Sequence, residues 1–178
     1  MNFLAALADP RLLEFIGDQR LRELVNKQEF RITEQYLESQ FISKAAGGEV
    51  EELSLKFNDG YAVISGKVTK RVVVPLVIPF SLRFSVAGIS FTRETKNITL
   101  RIEEVKPVDL DWVTKKIIEK LPFLAFDERV VTCDLLKVPQ LAHLLDYSVK
   151  GIRVADHVKL RDLEIRKGEV IGRLGISL

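Results

Sequence analysis

The longest regular pattern of apolar and polar positions in the chain runs from Val72 to Phe91. Large apolar residues occupy every second position there, and smaller or more polar residues stand between them. A period of two places the two sets on opposite faces of a β-strand. Because the usual strand has about five or six residues, the pattern predicts one very long strand, or two end to end, with one continuous apolar face. The apolar set is Leu76, Ile78, Phe80, Leu82, Phe84 and Val86.

Prolines and changes of parity mark irregular points in the strands. Pro75 and Pro79 cannot donate to a backbone ladder, so their part of the strand is expected at a sheet edge or at bulges. The apolar parity changes near Ala87–Gly88 and again near Arg161–Asp162. Each change predicts a β-bulge, which inserts one extra residue.

Shorter alternating runs surround the long stretch and predict an antiparallel meander. Leu53 to Phe57 and Tyr61 to Val68 flank the Asn58-Asp59-Gly60 turn, which is typical of a hairpin. Ile98 to Val105 predicts the next return strand. Val158 to Leu178 predicts a closing hairpin, because Lys167-Gly168 interrupts its alternation.

Helical spacing dominates the beginning of the chain and one later stretch. Met1 to Ala46 is predicted to be helical throughout, with breaks, and to end at Gly47-Gly48. Trp112 to Leu121 predicts a second helix, on which Val113, Ile117 and Leu121 share one face. The segment from Phe123 to Asp146 is less regular, with a short strand near Val130 and a short helix that Pro139 opens.

The composition describes an ordinary globular chain of 178 residues, of which 47% are hydrophobic and 29% charged. A formal net charge of +2 gives no support for nucleic acid binding, which usually leaves a clustered basic face. The single cysteine, Cys133, excludes an internal disulfide and agrees with a reducing compartment.

The sequence contains no run of about eighteen apolar residues that could cross a bilayer. Its short apolar start carries no basic residue ahead of it and is followed at once by Asp9-Pro10, which disfavours a cleaved signal peptide. We therefore expect a cytoplasmic protein, with peripheral contact to a membrane left open.

Residues that could perform chemistry are sparse. His143 and His157 are the only histidines, and their spacing does not suggest a zinc site. Asp109 and Asp111 are explained most simply as helix caps. The sequence lacks a phosphate-cradling glycine loop and a G-x-S-x-G elbow. We predict a protein that is not an enzyme and that holds no metal or cofactor.

Three stretches resemble the tubular lipid-binding superfamily, which includes the bactericidal/permeability-increasing protein, and in particular its small bacterial one-domain members. They are LSLKFNDGYAVISGKV (Leu53–Val68), LVIPFSLRFSV (Leu76–Val86) and VKLRDLEIRKGEVIGRLGI (Val158–Ile176). The resemblance implies an α+β fold in which a long, strongly twisted antiparallel sheet wraps around one long helix. The expected organisation is an N-terminal helical segment, residues 1–29, followed by a single domain, residues 30–178.

The resemblance also implies a groove between sheet and helix that holds a lipid or another elongated apolar ligand. A helix about 10 Å wide cannot cover a long apolar sheet, and large exposed apolar areas usually mark binding surfaces. Three candidates for covering the rest of the apolar sheet remain open: a lipid or amphiphile, a second protomer, or the irregular segment after Phe123. The predicted lining residues are Leu37, Phe41, Leu76, Ile78, Phe80, Leu82, Phe84, Leu100, Ile102, Val113 and Ile117.

The alternative hypothesis is a protein–protein interaction or scaffold module, such as a homodimer, that covers the apolar strip with another chain. In that case Met1–Gly17 is the expected docking element.

Overall fold

The computed structural model describes residues 28–107, 111–149 and 151–176, and within these ranges the chain is mostly β-structure. The strands are β1 (Glu29–Thr33), β2 (Val50–Asn58), β3 (Tyr61–Arg71), β4 (Pro75–Phe91), β5 (Lys96–Lys106), β6 (Leu124–Asp127), β7 (Val130–Asp134), β8 (Ser148–Val149), β9 (Ile152–Arg153), β10 (Val158–Arg166) and β11 (Glu169–Ile176).

Helical elements are short. The helical run α1 consists of Glu34–Leu37, a π-helical turn at Glu38–Ile42, and Ser43–Ala45. Helix α2 is Asp111–Ile118 and helix α3 is Ala142–Leu145. Single 3₁₀ turns lie at Leu135–Lys137, Pro139–Leu141 and Val154–Asp156.

The strands form two main antiparallel sheets and a small hairpin. The large sheet has the order β2-β3-β4-β5-β7-β6, and the small sheet has the order β1-β11-β10. Within the described ranges, strands β8 and β9 pair only with each other. In the small sheet, β1 pairs with β11 in a register that places Glu29 opposite Arg173, so this sheet joins the two ends of the described chain.

The two sheets are joined at their hairpin turns. The Gly60 N–H donates to the Ile165 carbonyl at 2.9 Å, and the Gly168 N–H donates to the Phe57 carbonyl at 3.3 Å. The Lys167 N–H donates to the Asp59 carboxylate at 3.1 Å. Gly60 and Gly168 both have positive φ, which glycine adopts without a steric penalty. The β2–β3 turn therefore fixes the end of the β10–β11 hairpin beside it.

The predicted fold class is wrong. The longest helical run among the described residues, α1, has twelve residues, and no sheet wraps around it. Instead α1 lies along the outer strand of the large sheet, where Glu34 and Glu38 accept hydrogen bonds from the N–H groups of Phe57 and Leu55. A helix held at an edge strand cannot fill the inside of a tube.

The prediction of continuous helix to Ala46 fails for a local reason. Residues 29–33 form β1, in which Phe30 and Ile32 alternate with polar residues. Such a short run fits a strand as well as a helix, and its pairing with β11 decides between them. Residues 1–27, which include the predicted docking element Met1–Gly17, lie outside the described residues.

The predictions for the long strand and for two bulges are confirmed. The long stretch forms one strand of 17 residues, β4. Its register with β5 shifts between Val86 and Gly88, and the register of β10 with β11 shifts between Leu160 and Asp162, as expected for bulges at these places. The pairing of β4 with β5 begins at Ser81, so Pro75 and Pro79 lie where β4 has a partner only in β3.

Helix α2 packs across the inner face of the large sheet. Its buried residues Val113 and Ile117 join a core cluster with Val68, Phe80 and Leu82. The side chains of Lys116 and Lys120 hold the helix to the loop before β2, through Glu49 and the Gly47 carbonyl respectively. The helix therefore covers only one end of the sheet, which leaves its remaining inner face for other elements.

Candidate functional site

A large cavity of about 440 Å³, partly open at the surface, lies between the two sheets and the helices. The large sheet forms one wall, and α1, α2 and the small sheet form others. The segment from Phe123 to Leu145 contributes residues as well, so the irregular part of the chain helps to close the space. The walls present almost no polar atoms.

Alternation along the strands explains why the cavity is apolar. On β4, Leu82, Phe84 and Val86 face inward, and after the bulge Phe91 also lines the cavity. On β5, Ile98, Leu100 and Ile102 occupy every second position. The bulge near Gly88 brings Phe91 back to the inward face, because the extra residue compensates for the change of parity.

Among the described residues that line the cavity, three carry polar side chains, and none of these three gives the cavity a charged surface. Lys96 is 3% exposed, and its ammonium group donates to the Thr92 carbonyl and lies 5.4 Å from the centre of the Phe91 ring. Burial lowers the pKa of Lys96, while the nearby Asp156 acts in the opposite direction. The ammonium group is thus already engaged by the protein.

The other two polar lining residues are Thr114 and Cys133. The Thr114 hydroxyl is buried and has no hydrogen-bond partner among the described residues. Burial raises the pKa of the Cys133 thiol to about 12, with Asp134 acting in the same direction. A thiol with this pKa stays protonated near neutral pH, so Cys133 is a poor nucleophile.

The structure brings together most of the predicted lining residues. Seven of them line the cavity: Leu37, Phe41, Leu82, Phe84, Leu100, Ile102 and Ile117. Phe80 and Val113 lie in the solid core cluster, and Ile78 packs against that cluster. Leu76 is 54% exposed near the end of the β3–β4 hairpin. Leu76, Ile78 and Phe80 share one face of β4 with the lining residues Leu82 and Phe84, and Val113 lies on α2 with Ile117. These four residues lie farther toward the end of the sheet that α2 covers.

Sequence reasoning missed the contribution of the small sheet, and it left the irregular segment open as one possible cover without naming its lining residues. The additional lining residues include Phe30, Ile32, Leu135, Val138, Leu141, Leu145, Leu160, Leu163, Ile165, Val170 and Leu174. The alternation of β10 and β11 was visible in the sequence, but nothing local indicates which sheet their apolar face would meet.

Close packing of Phe30 in the small sheet depends on Gly172. Gly172 lies opposite Phe30 in the β1–β11 ladder, and a Cβ atom there would come within 2.1 Å of the Phe30 ring. The Phe30 ring therefore lies over the backbone of β11 and forms part of the cavity wall. Gly172 permits this approach because it has no side chain.

Comparison of the chain with family models, with curated proteins and with solved structures gives no match. The resemblance to the tubular lipid-binding superfamily thus stays a prediction from the sequence. Within the described ranges, no cluster of histidine, cysteine, aspartate or glutamate has the arrangement of a metal site. None of the helices in these ranges has the length and apolar character needed to cross a membrane.

Proposed function

We propose that this protein binds a lipid or another elongated apolar molecule, without catalysis, in the cavity between its two sheets. The observation that carries the proposal is the size of the cavity together with its apolar lining. Ligand pockets in proteins typically measure about 300–1,000 Å³ and are lined mainly by hydrophobic side chains.

The energetic cost of an empty cavity supports an occupant. Enclosed cavities created in protein cores cost about 24 cal/mol per Å³, so leaving the enclosed part of this space unfilled is unfavourable. The total stability of a domain is only about 5–15 kcal/mol. A molecule that restores the lost van der Waals contacts would remove most of this cost.

Water is a poor candidate for the occupant. A buried water needs two to four polar partners, and the cavity wall offers almost none. An acyl chain requires no such partners, because each CH₂ group moved out of water contributes about 0.8 kcal/mol.

The same physical argument connects the proposed ligand with membranes. A molecule with an acyl chain resides in a lipid phase, because its transfer into water is unfavourable. The proposal therefore includes peripheral contact with a membrane, from which the ligand is taken or to which it is delivered.

Native mass spectrometry and solvent extraction of protein purified without detergent test the proposal. We expect a co-purifying amphiphile and, after its removal, uptake of the fluorescent fatty acid cis-parinaric acid. In Leu100→Trp the larger side chain fills part of the cavity, so the probe would have to overpack the space that remains. Because overpacking costs about 1–3 kcal/mol, we expect uptake to fall about tenfold.

Leu136→Trp is the matched control, because Leu136 is 39% exposed and is not part of the cavity wall. Its uptake should equal that of the original protein. Absence of both a co-purifying amphiphile and probe uptake would refute the proposal, as would equal uptake by Leu100→Trp when circular dichroism shows that this variant is folded.

A further inference from the structure

The tip of the β3–β4 hairpin projects beyond the rest of the large sheet. On the β3 side, the ladder with β2 reaches only to Val68, and Thr69 donates one further hydrogen bond to the Glu49 carbonyl at 2.8 Å. On the β4 side, the ladder with β5 begins at Ser81. In the described part of the chain, the hairpin beyond these points is a two-stranded ribbon that ends at residues 72–74.

This ribbon carries the most exposed of the large apolar side chains on the described surface. Val72, Val73 and Val74 are 65%, 97% and 71% exposed, and Leu76 and Val77 are each 54% exposed. The other exposed large hydrophobic residues, Val130 and Leu136, are less exposed, at 37% and 39%. A contiguous apolar patch of this kind marks an interaction site more often than single exposed residues do.

Basic residues lie directly beside the valines. Lys70 and Arg71 are exposed and pair in the ladder with Leu76 and Pro75. No aspartate or glutamate occurs between Asp59 and Glu94, so both strands of the tip lack negative charge. On the neighbouring elements, Glu52 of β2 pairs with Lys67 at 2.6 Å, and the exposed Asp111 stands beside Trp112 in the sequence of α2.

The single tryptophan lies at the same end of the molecule. The ammonium group of Lys70 is 5.9 Å from the centre of the Trp112 ring, and Trp112 is half-buried against the core cluster. Tryptophan is enriched at the level of lipid head groups, where its ring can be apolar on one side and hydrated on the other. The tip thus combines apolar, cationic and aromatic groups in one place.

We propose that residues 70–77 form a docking tip that inserts its valines into the interface of a membrane containing anionic lipids. Val72, Val73 and Val74 would lie below the head groups, while Lys70 and Arg71 would contact lipid phosphates. This inference extends the proposed function, because it specifies where the protein meets the lipid phase. Binding of the tip to a membrane does not require an occupied cavity.

Charge favours a membrane over a second copy of the chain. In a symmetric dimer built around this tip, the same surface meets itself. Lys70 and Arg71 would then oppose their own counterparts, and such like-charge contacts are unfavourable at interfaces. An anionic lipid surface accepts both the apolar and the cationic groups.

Vesicle flotation tests the inference, with vesicles of phosphatidylcholine alone and of phosphatidylcholine mixed with phosphatidylglycerol. We expect the full chain to float with the mixed vesicles and to be released by salt, because salt screens exposed charges. In Val73→Asp we expect binding to fall about tenfold or more, because insertion of an apolar side chain is lost. In Lys70→Ser/Arg71→Ser we expect a loss of about fivefold per basic residue, confined to the mixed vesicles.

Leu136→Asp is the control, since it places the same charge on another exposed apolar site, and it should float like the original protein. Failure of the original protein to float with the mixed vesicles, or normal flotation of Val73→Asp, would overturn the inference. Equal binding to both kinds of vesicle would overturn the part of the inference that requires anionic lipids.

Sedimentation of the protein without vesicles tests the alternative, in which a second copy of the chain covers the tip. A dimer that Val73→Asp abolishes would identify the tip as a self-association surface and overturn the inference. Vesicle binding without any cavity ligand would contradict only the proposed function. A cavity ligand without vesicle binding would contradict only the docking tip.

Discussion

At the scale of single residues, Thr114 is the least satisfied part of the cavity wall. Its hydroxyl is buried, and the described residues provide no partner for it. Leaving such a group without a hydrogen bond costs about 1–3 kcal/mol. The neighbouring helix residues Val113 and Ile117 are apolar and buried, so a residue with the same shape and no hydroxyl would suit this position.

We therefore expect Thr114→Val to raise the free energy of unfolding by about 1 kcal/mol, because it removes an unsatisfied polar group without changing the shape. Urea denaturation measures the change. Thr132→Val, on the half-buried face of β7, serves as the control and should change stability by less. A loss of stability in Thr114→Val would show that its hydroxyl is hydrogen-bonded in the protein.

At the scale of secondary structure, α1 and β2 fit each other through matching repeat distances. Four helical residues rise about 6 Å, and two strand residues span about 6.6 Å. Glu34 and Glu38, four apart on α1, therefore reach the N–H groups of Phe57 and Leu55, two apart on β2, at 2.6 and 3.2 Å. These carboxylates satisfy donors of an outer strand that would otherwise face solvent.

The Glu34 carboxylate also accepts from the ammonium group of Lys56 at 2.9 Å. Burial raises the pKa of Glu34, but the hydrogen bonds from Phe57 and Lys56 and the charge of Lys56 outweigh it and lower the pKa overall. A lowered pKa in the folded state stabilises the fold above the unfolded-state pKa of Glu34. That stability is lost as the pH falls through the lower folded-state pKa.

We expect Glu34→Gln to destabilise the protein at pH 7 by about 1–2 kcal/mol, because the charged acceptor is lost. The difference in the free energy of unfolding between the variant and the original protein should shrink as the pH falls below the usual pKa of glutamate. Urea denaturation at several pH values measures it, with Gln35→Ala on the exposed side of α1 as the control. A difference that is the same at pH 7 and pH 3 would contradict the assigned role of the charge.

At the scale of the whole molecule, the cavity exists because two sheets close on each other without a long helix between them. Their junction lies at the turns before Tyr61 and before Glu169, while the irregular segment and α2 close other sides. Stability should consequently depend on what fills the space.

Removal of the proposed ligand should lower the unfolding temperature. A ligand present at about 100 times its Kd contributes about 2.7 kcal/mol, which corresponds to about 5–10 °C for a domain of this size. Differential scanning calorimetry before extraction, after extraction and after refilling measures the change. Leu100→Trp should show a smaller loss, and identical curves for all three preparations of the original protein would contradict the expectation.

Much of the local structure followed from the sequence, because strand periodicity, turns and bulges depend on residues close together in the chain. The alternation of Leu82, Phe84, Leu100 and Ile102 was sufficient to place them on one inward face. The same rule could not distinguish Leu76, which is on the same strand but beyond the elements that cover β4. Coverage depends on neighbours that are distant in sequence.

The sequence by itself determined the long strands β2 to β5, β10 and β11, the bulges near Ala87 and Arg161, and a surplus of apolar surface on β4 and β5. Only the tertiary structure decided that a second sheet and the edge helix α1 cover that surface. The physical reason is that β1 becomes a strand through its ladder with β11, in which Glu29 meets Arg173 across almost the whole chain. Local periodicity specifies which residues share a face, whereas long-range pairing specifies which faces meet and how much space they enclose.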